Sequence, residues 1–398
     1  MDRGSSVVQR EGDRVMPPAH FLGDLSGLWR LDQRPPIRGL TWDWWWWLVM
    51  LEDEHGRPTG KQLMTLWSTK DAPRVEVNGD TWRPQGRPGV DEHGGMSLDG
   101  MVCAWWFDGQ TMHDAVLAKR CSMVVLPGAH PSWPGASTPG RGAGAVVPLL
   151  DEDYSMGMEG DGSSFWLTLD PMPEGAPFST LDLRLEPSSE RLSTARQATA
   201  TYAAGLGYDI LRLHGTTAEG HIDGAPVRGT AYFQKVKVQA PSVPWYWGVL
   251  HFSDGSYLDW FLPHASPTLS AVDDRPWKSR DLGHVALSEG GLLHDETRGH
   301  TERFGRVVVG KRNEDGLPVF SVRMWNGRVS VDLEVAALAR AHWTFDQPTR
   351  AGLRSHLTYN EYPLEVRQLR LQDEHGVRTE ADFAWIRGNA EHAWGLLH

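Results

Sequence analysis

Short stretches in which apolar and polar residues alternate follow one another along most of the chain, separated by glycine- and proline-rich turns. A period of two is typical of strands that bury one face, and turn signals about every ten residues are typical of a β-sandwich or barrel. The alternation predicts strands at residues 61–68, 164–169, 231–238, 246–252, 256–261, 307–309, 329–335 and 364–371. We therefore expect an all-β, antiparallel fold with few short helices.

Four segments depart from this pattern. Residues 189–200 and 333–341 have the apolar spacing of short helices, although the second also fits the end of a strand. Residues 126–145 are rich in glycine, proline and serine, which predicts a surface loop or flap. Residues 1–20 carry scattered charges and no continuous apolar run, which predicts a flexible segment and not a signal peptide.

Two aromatic-rich segments repeat one theme along the chain. In residues 42–67 a run of tryptophans leads through a turn into a second strand, and in residues 244–261 an aromatic strand leads through an Asp-Gly turn into another. Each is typical of a β-hairpin. A chain of 398 residues also exceeds the size at which one hydrophobic core stops growing. We therefore expect an N-terminal domain at 21–205 and a C-terminal domain at 206–398.

Tryptophan is the exceptional residue in the composition, with 20 copies. A buried indole needs a partner for its N–H group, and indoles suit concave apolar sites that contain a few polar groups. Alternation along a strand places Trp42, Trp44 and Trp46 on one face and Trp45 and Trp47 on the other, so one set should meet a cavity. The tryptophans predicted to bind a ligand there are Trp44, Trp46, Trp67, Trp106, Trp245, Trp247 and Trp260.

Charge and motifs exclude several classes of protein. The net charge of −12 and the absence of a lysine or arginine cluster argue against nucleic acid. Cys103 and Cys121 form neither a disulfide framework nor a zinc spacing, and no nucleotide loop, zinc-protease helix or nucleophile elbow is present. We expect a cytoplasmic monomer or homodimer without membrane insertion, metal or cofactor, whose partner is a hydrophobic small molecule.

The aromatic hairpins carry a resemblance to a known family. Asp43 and the three tryptophans after it, followed by Gln62 in the next strand, resemble the Glu-Trp-Trp-Tyr run and the later Gln of a two-domain lipocalin-like family. That family contains carotenoid 1,2-hydratase, the AttH proteins and the fungal lipocalin-like Diels-Alderases. Residues 229–232, Gly-Thr-Ala-Tyr, resemble the start of a second motif, Gly-Thr-Ala-Trp-Met-Asp-His. The resemblance implies two lipocalin-like β-barrel halves and a reaction without a cofactor.

Hydration of an alkene needs a strong proton donor near neutral pH, which is usually a carboxylic acid whose pKa is raised by burial. The resemblance implies an acid at residue 234, but Gln234 stands there, and an amide cannot protonate an alkene. Asp43, Asp259 and Glu361 are each flanked by aromatic residues and are the candidate acids in its place. His113, in an aromatic-rich strand, is a candidate acid or base.

A second set of candidates offers hydrogen-bond donors. Tyr232 and Gln234 share one strand face, whereas Lys235 points to the other, where it is predicted to be solvated beside Lys237. Donors facing the cavity would stabilise negative charge that develops on a carbonyl oxygen. A lysine with a lowered pKa could also form a Schiff base.

Three functions remain open from the sequence. The first is a cofactor-independent, hydratase-like lyase that acts on a terpenoid or polyketide-like molecule. The second is a pericyclase, cyclase or isomerase of a natural-product pathway. The third is a carrier that binds an apolar ligand without changing it, as many lipocalin barrels do.

Overall fold

The computed structural model describes residues 20–22, 25–84, 89–127, 141–146, 153–241, 243–264, 290–348 and 352–397. Within these ranges the chain is all-β, as predicted, and its helices are single 3-10 turns at Ser26–Trp29, Glu190–Leu192, Ala203–Gly205 and Glu380–Asp382. No helix in the described part of the chain is long and apolar enough to cross a membrane.

Strands are numbered in chain order. Those before residue 240 are β1 (Thr41–Glu52), β2 (Pro58–Asp71), β3 (Val75–Val77), β4 (Asp80–Trp82), β5 (Gly89–Val90), β6 (Met96–Phe107), β7 (Met112–Leu126), β8 (Arg141–Val146), β9 (Asp153–Glu159), β10 (Phe165–Asp170), β11 (Leu181–Pro187), β12 (Arg196–Thr201), β13 (Gly207–Ile222) and β14 (Ala225–Gln239). Those after it are β15 (Trp245–Phe252), β16 (Tyr257–Pro263), β17 (Gly290–Asp295), β18 (His300–Phe304), β19 (Arg306–Glu314), β20 (Leu317–Trp325), β21 (Ser330–Ala337), β22 (Ala341–Pro348), β23 (Arg354–Asp373), β24 (Gly376–Thr379) and β25 (Ile386–Leu397).

The strands form two antiparallel sheets. The first sheet has the order β11-β10-β9-β8-β7-β6-β2-β1-β14-β13-β12, with β5 on β6, and an additional pairing of β11 with β13 closes the ring of a barrel. The second sheet has the order β18-β17-β16-β15-β25-β23-β21-β20-β19. In the second sheet β22 and β24 pair with β23, and the β3–β4 hairpin joins through β22.

Hydrophobic residues form three main cores. The first core lies inside the barrel and the second inside the curl of the second sheet. The third, here called the interface core, lies between the two sheets and takes side chains from β1, β2, β6 and β14 on one side and from β15, β22, β23 and β25 on the other. The second sheet therefore covers the outer face of the barrel at β1, β2, β6 and β14.

Burial on both faces explains the tryptophan run in β1. Trp45 and Trp47 point into the first core, whereas Trp42 and Trp46 point into the interface core. A strand buried on both faces carries an almost continuous apolar sequence, because no position faces water. The hairpin of β1 and β2 pairs Trp45 with Trp67, which shares the first core.

The predicted strands all overlap observed strands, but both predicted helices are wrong. Residues 189–200 contain a single 3-10 turn and most of β12, because pairing with β13 outweighs a weak local helical spacing. Residues 333–341 lie mainly in the second half of β21, so the alternative prediction, the end of a strand, is the correct one for this segment. The predicted flap at 126–145 begins and ends in β7 and β8, and its residues 128–140 lie outside the described residues, as do residues 1–19 of the predicted N-terminal segment.

Apart from the β3–β4 hairpin, every strand up to β14 belongs to the first sheet and every strand from β15 onward to the second, among the described residues. The predicted domain boundary at 205/206 falls immediately before β13, which pairs with β14, β12 and β11 inside the first sheet. The glycine-containing segment that suggested this boundary is a turn between β12 and β13. The sequence composition predicts the turn, but only the strand pairing shows that β13, the strand after it, belongs to the first sheet.

Gly248 shows why a glycine stands inside an aromatic strand. It lies directly opposite Trp260 in the β15–β16 pair, and a Cβ atom at residue 248 would lie 2.1 Å from the nearest atom of the Trp260 ring. Trp260 is fully buried in the second core, so the ring has little room to move aside. The absence of a side chain at 248 is therefore a packing requirement.

We predict that Gly248→Ala destabilises the protein by roughly 1–3 kcal/mol or more, the usual effect of overpacking a core. The measurement is the urea midpoint by tryptophan fluorescence. Gly305→Ala is the matched control, because a Cβ there meets no atom within 4 Å. Equal midpoints for the two variants would contradict the prediction.

Candidate active site

A cavity of about 380 Å³ lies between the two sheets, next to the interface core. Its walls come from the outer face of β1, β2, β6, β13 and β14 and from the facing side of β15, β16, β22, β23 and β25. Most of the lining is apolar. The polar groups in it include Lys70, Arg212, Gln234, Tyr359 and Glu391.

Indole and phenyl rings form much of the cavity wall and its support. Trp42, Trp44, Trp105, Trp245 and Trp247 all line it. Trp42 packs edge-on against Phe345 at 4.7 Å between ring centroids, and Trp247 packs edge-on against Trp46 at 5.3 Å. Rings fixed by such contacts give a rigid wall with several π faces.

Two buried glutamates face each other beside the cavity. Glu361 on β23 and Glu391 on β25 are directly opposite in the strand register, and their exposed fractions are 0% and 4%. The Tyr359 hydroxyl donates a hydrogen bond to Glu361 and lies 3.2 Å from Glu391 Oε1, and Trp245 Nε1 donates to Glu391 Oε2 at 2.8 Å. We call Glu361 and Glu391 the carboxyl pair.

The carboxyl pair holds a proton near neutral pH. Burial, followed by the charge of Glu391, raises the pKa of Glu361 well above its usual range, and burial raises the pKa of Glu391 to about 7. No lysine or arginine within the described ranges forms an ion pair with either carboxyl group. Glu361 Oε2 is buried without a hydrogen-bond partner among the described residues. The pair is therefore a source of carboxylic acid at the cavity wall.

Asp259 lies in a different environment. Its Oδ2 accepts hydrogen bonds from Arg212 Nη1 at 3.1 Å and from His214 Nε2 at 2.7 Å. Burial alone would raise the pKa of Asp259, but the charges and hydrogen bonds of His214 and Arg212 outweigh burial and lower it. Asp259 is thus an ionised carboxylate that holds the guanidinium of Arg212, which lines the cavity.

Asp43 points away from the cavity. Its carboxylate lies between the ammonium groups of Lys235 and Lys237, both only 1% exposed, and the Lys235 ammonium is 4.3 Å from the Trp45 ring centroid. The prediction that this face is solvated is wrong, because the barrel interior and the chain near Leu31 cover it. Burial lowers the pKa of Lys235 to about 8. The structure does not bring Asp43 or Lys235 to the cavity.

Tyr232 and Gln234 share the face of β14 that looks toward the second sheet. The Tyr232 hydroxyl donates to Gln234 Oε1 at 3.3 Å, and its ring packs against Trp46 and Trp247. Gln234 lines the cavity, whereas Tyr232 is fully buried beneath it. Gln234 therefore presents an amide to a bound molecule, and Tyr232 orients that amide.

Several predicted residues lie elsewhere. Trp67 and Trp106 are in the first core, where Trp67 Nε1 donates to the Tyr154 carbonyl at 3.1 Å, and Trp260 is in the second core. His113 pairs with Asp108 at the turn between β6 and β7, with more than a third of its side chain exposed. Of the seven predicted tryptophans, the cavity lining includes Trp44, Trp245 and Trp247, and Trp46 packs behind Trp247.

Sequence reasoning missed Glu391, Tyr359, Arg212 and His214. Tyr359 stands two residues before Glu361, so strand alternation could have placed it on the same face. Glu391 had a weaker signal, an acidic residue in the apolar segment NAEHAW. Its position opposite Glu361 depends on the pairing of β23 with β25, which no local pattern encodes.

Comparison with known proteins found similarity among solved structures. An AttH-type protein from Nitrosomonas europaea matches with 15% identity and a TM-score of 0.47, covering 89% of this chain and 92% of that one. Kievitone hydratase from Nectria haematococca matches with 9% identity and a TM-score of 0.40, covering 88% of each chain. CghA matches with 11% identity and a TM-score of 0.46, covering 95% of this chain and 96% of that one. This chain is similar to all three.

The first match is of the AttH type, one of the groups in the family that the aromatic hairpins resemble. No protein-family model and no curated protein sequence matches the chain.

We predict that Asp259→Asn destabilises the protein by roughly 3–5 kcal/mol, because it leaves the buried charge of Arg212 without its carboxylate. Denaturant midpoints measure the effect. Asp332→Asn, which breaks the exposed pair with Arg323, is the control and should leave the midpoint nearly unchanged. If Asp259→Asn lowers the denaturant midpoint only slightly, the Asp259 carboxyl group is protonated in the native state and the prediction is wrong.

We predict that Glu391→Gln stabilises the protein at alkaline pH. A carboxyl group whose pKa rises on folding binds more protons in the native state than in the unfolded state, so its stabilising contribution falls as pH rises from about 4.5 through about 7. The free energy of unfolding of the variant should exceed that of wild type by on the order of 3 kcal/mol at pH 8.5 and by much less at pH 5. Thermal melts at both pH values measure this, with exposed Glu365→Gln as control.

Proposed function

We propose that the chain is a cofactor-independent lyase of the hydratase type, which acts on a hydrophobic terpenoid or polyketide-like molecule in the cavity between the sheets. The observation that carries the proposal is the carboxyl pair, a buried carboxylic acid at the wall of an aromatic cavity. Burial without a direct ion pair raises the pKa of both carboxyl groups, more than the charge of Arg212 lowers that of Glu391, and a raised pKa is the property that a general acid requires.

Alkene hydration would use the pair in two steps. The carboxylic acid transfers its proton to one carbon of the double bond, the π electrons form the new C–H bond, and the other carbon becomes a carbocation. A water molecule then donates an electron pair to the cation, and its extra proton returns to the carboxylate. The reverse sequence is dehydration by the same groups. Glu391 lines the cavity, and the Tyr359 hydroxyl lies within hydrogen-bond distance of both Glu361 and Glu391.

The aromatic wall supports the cationic intermediate. A cation over an indole face gains about 0.5–2 kcal/mol, and the cavity presents the rings of Trp44, Trp245 and Trp247. The same apolar wall limits access of bulk water, which would otherwise capture the cation without selectivity.

Cyclisation or isomerisation of a carbonyl compound is the second candidate. It is favoured by Arg212 and Gln234, whose guanidinium and amide donors line the same cavity as the carboxyl pair. These donors can stabilise negative charge on a carbonyl oxygen. Product mass separates the candidates, because hydration adds the mass of one water molecule and cyclisation or isomerisation leaves the mass unchanged.

The experiment begins with native mass spectrometry of purified protein and tryptophan-quenching titrations with terpenoid and polyketide libraries. Bound compounds are then incubated with the protein and analysed by liquid chromatography and mass spectrometry. A product supports catalysis. A ligand recovered with unchanged mass and retention time supports the carrier function and contradicts the proposal.

We predict that Glu391→Gln and Glu361→Gln each lower turnover at least 100-fold, within the usual contribution of a general acid. Wild-type turnover should fall as pH rises through about 7, because the acid loses its proton. Glu365→Gln, an exposed glutamate on the same strand as Glu361, should keep full activity and the same pH profile. Full activity of both Glu391→Gln and Glu361→Gln would contradict the acid mechanism.

A further inference from the structure

Lys70 is a buried lysine whose ammonium group has no polar partner within the described ranges. It lies near the end of β2, directly opposite Trp42, and lines the cavity with an exposed fraction of 6%. Its Nζ lies 3.9 Å from the centroid of the Trp42 ring. A contact with a ring face replaces only part of the hydration that an ammonium group loses on burial.

Two other buried lysines on this sheet, in contrast, have a carboxylate partner. Lys235 and Lys237 share the carboxylate of Asp43, and Lys237 also donates to the Leu31 carbonyl at 2.6 Å. Lys70 has no such carboxylate, and burial lowers its pKa to about 7. An amine close to its pKa gains most from an acidic group that enters the cavity, since the new ion pair restores the charged form.

We propose that Lys70 binds an acidic oxygen of the ligand, so that the molecule held in the cavity has an apolar body and one carboxylate or phenolate group. This inference rests on the proposed function, in which the same cavity holds the substrate. The ammonium is the one cationic group in the described lining without an anionic side chain beside it, because Arg212 is held by Asp259. The acidic oxygen therefore belongs at the Lys70 end.

Lys70 and the carboxyl pair lie at different positions along the cavity wall. The cross-strand partner of Lys70, Trp42, is four residues from Trp46 along β1, and Trp46 lies beside Glu361 of the carboxyl pair. Four residues of strand span roughly 13 Å. We therefore expect the acidic oxygen and the carbon that the carboxyl pair protonates to lie at different ends of the ligand.

The test compares two fluorescent probes that differ only in the acidic group, cis-parinaric acid and its methyl ester. Each is titrated into wild type, Lys70→Met and Lys61→Met, the last being an exposed lysine on the same strand. We expect Lys70→Met to bind the acid at least tenfold more weakly than wild type, the usual loss of a charge-assisted hydrogen bond, and the ester within twofold. Lys61→Met should match wild type for both probes.

Thermal melts show whether Lys70→Met folds. If it does not, Lys70→Arg, which keeps the positive charge, is the variant to test. The arginine variant should retain preference for the acid over the ester. Equal affinity of wild type for acid and ester would overturn the role of Lys70 and leave the cavity as a binding site. Binding of neither probe to folded wild type would overturn the proposed function and this inference together.

Discussion

Burial of β1 on both faces is the constraint on which the rest of the molecule depends. One face fills the barrel, and the other would expose a row of indoles to water if the second sheet did not cover it. The two sheets therefore pack against each other, and the cavity is the part of that contact which side chains leave unfilled. The aromatic wall comes from both sheets, while the carboxyl pair comes from the second sheet alone.

Three buried carboxyl sites show how environment sets the protonation of one chemical group. Asp43 lies between two ammonium groups and Asp259 is paired with a guanidinium, so each of these two carboxyl groups has a cationic partner. Glu361 and Glu391 have each other and a phenol, so one proton is retained between them. The pair is thus an acid because both carboxyl groups are buried without a direct ion pair, and the guanidinium that lines the same cavity is held by Asp259. Neighbouring strands paired in register hold the two carboxyl groups in place, which favours a rigid site.

The sequence predicted most of what depends on periodicity. The all-β fold, both aromatic hairpins and the opposite orientation of Trp45 and Trp46 follow from the period of two along a strand. Partners distant in the chain could not be predicted in the same way. The contact of Lys235 with Asp43 spans 192 residues and depends on the register of β14 against β1. Strand alternation predicts on which face of the sheet a side chain lies, but only the tertiary structure shows whether that face is exposed to water.

The β3–β4 hairpin links the two sheets more closely than a flexible connection would. Its strands come from the first part of the chain, yet β3 pairs with β22 at Phe345 and Asp346 in the second sheet. Val75 and Val77 also contribute to the interface core. A hybrid protein that exchanged whole halves with a relative would therefore receive a second sheet without one of its native edge strands. Grafting the 75–82 segment together with the C-terminal half would keep that edge paired and the cavity wall next to Phe345 intact.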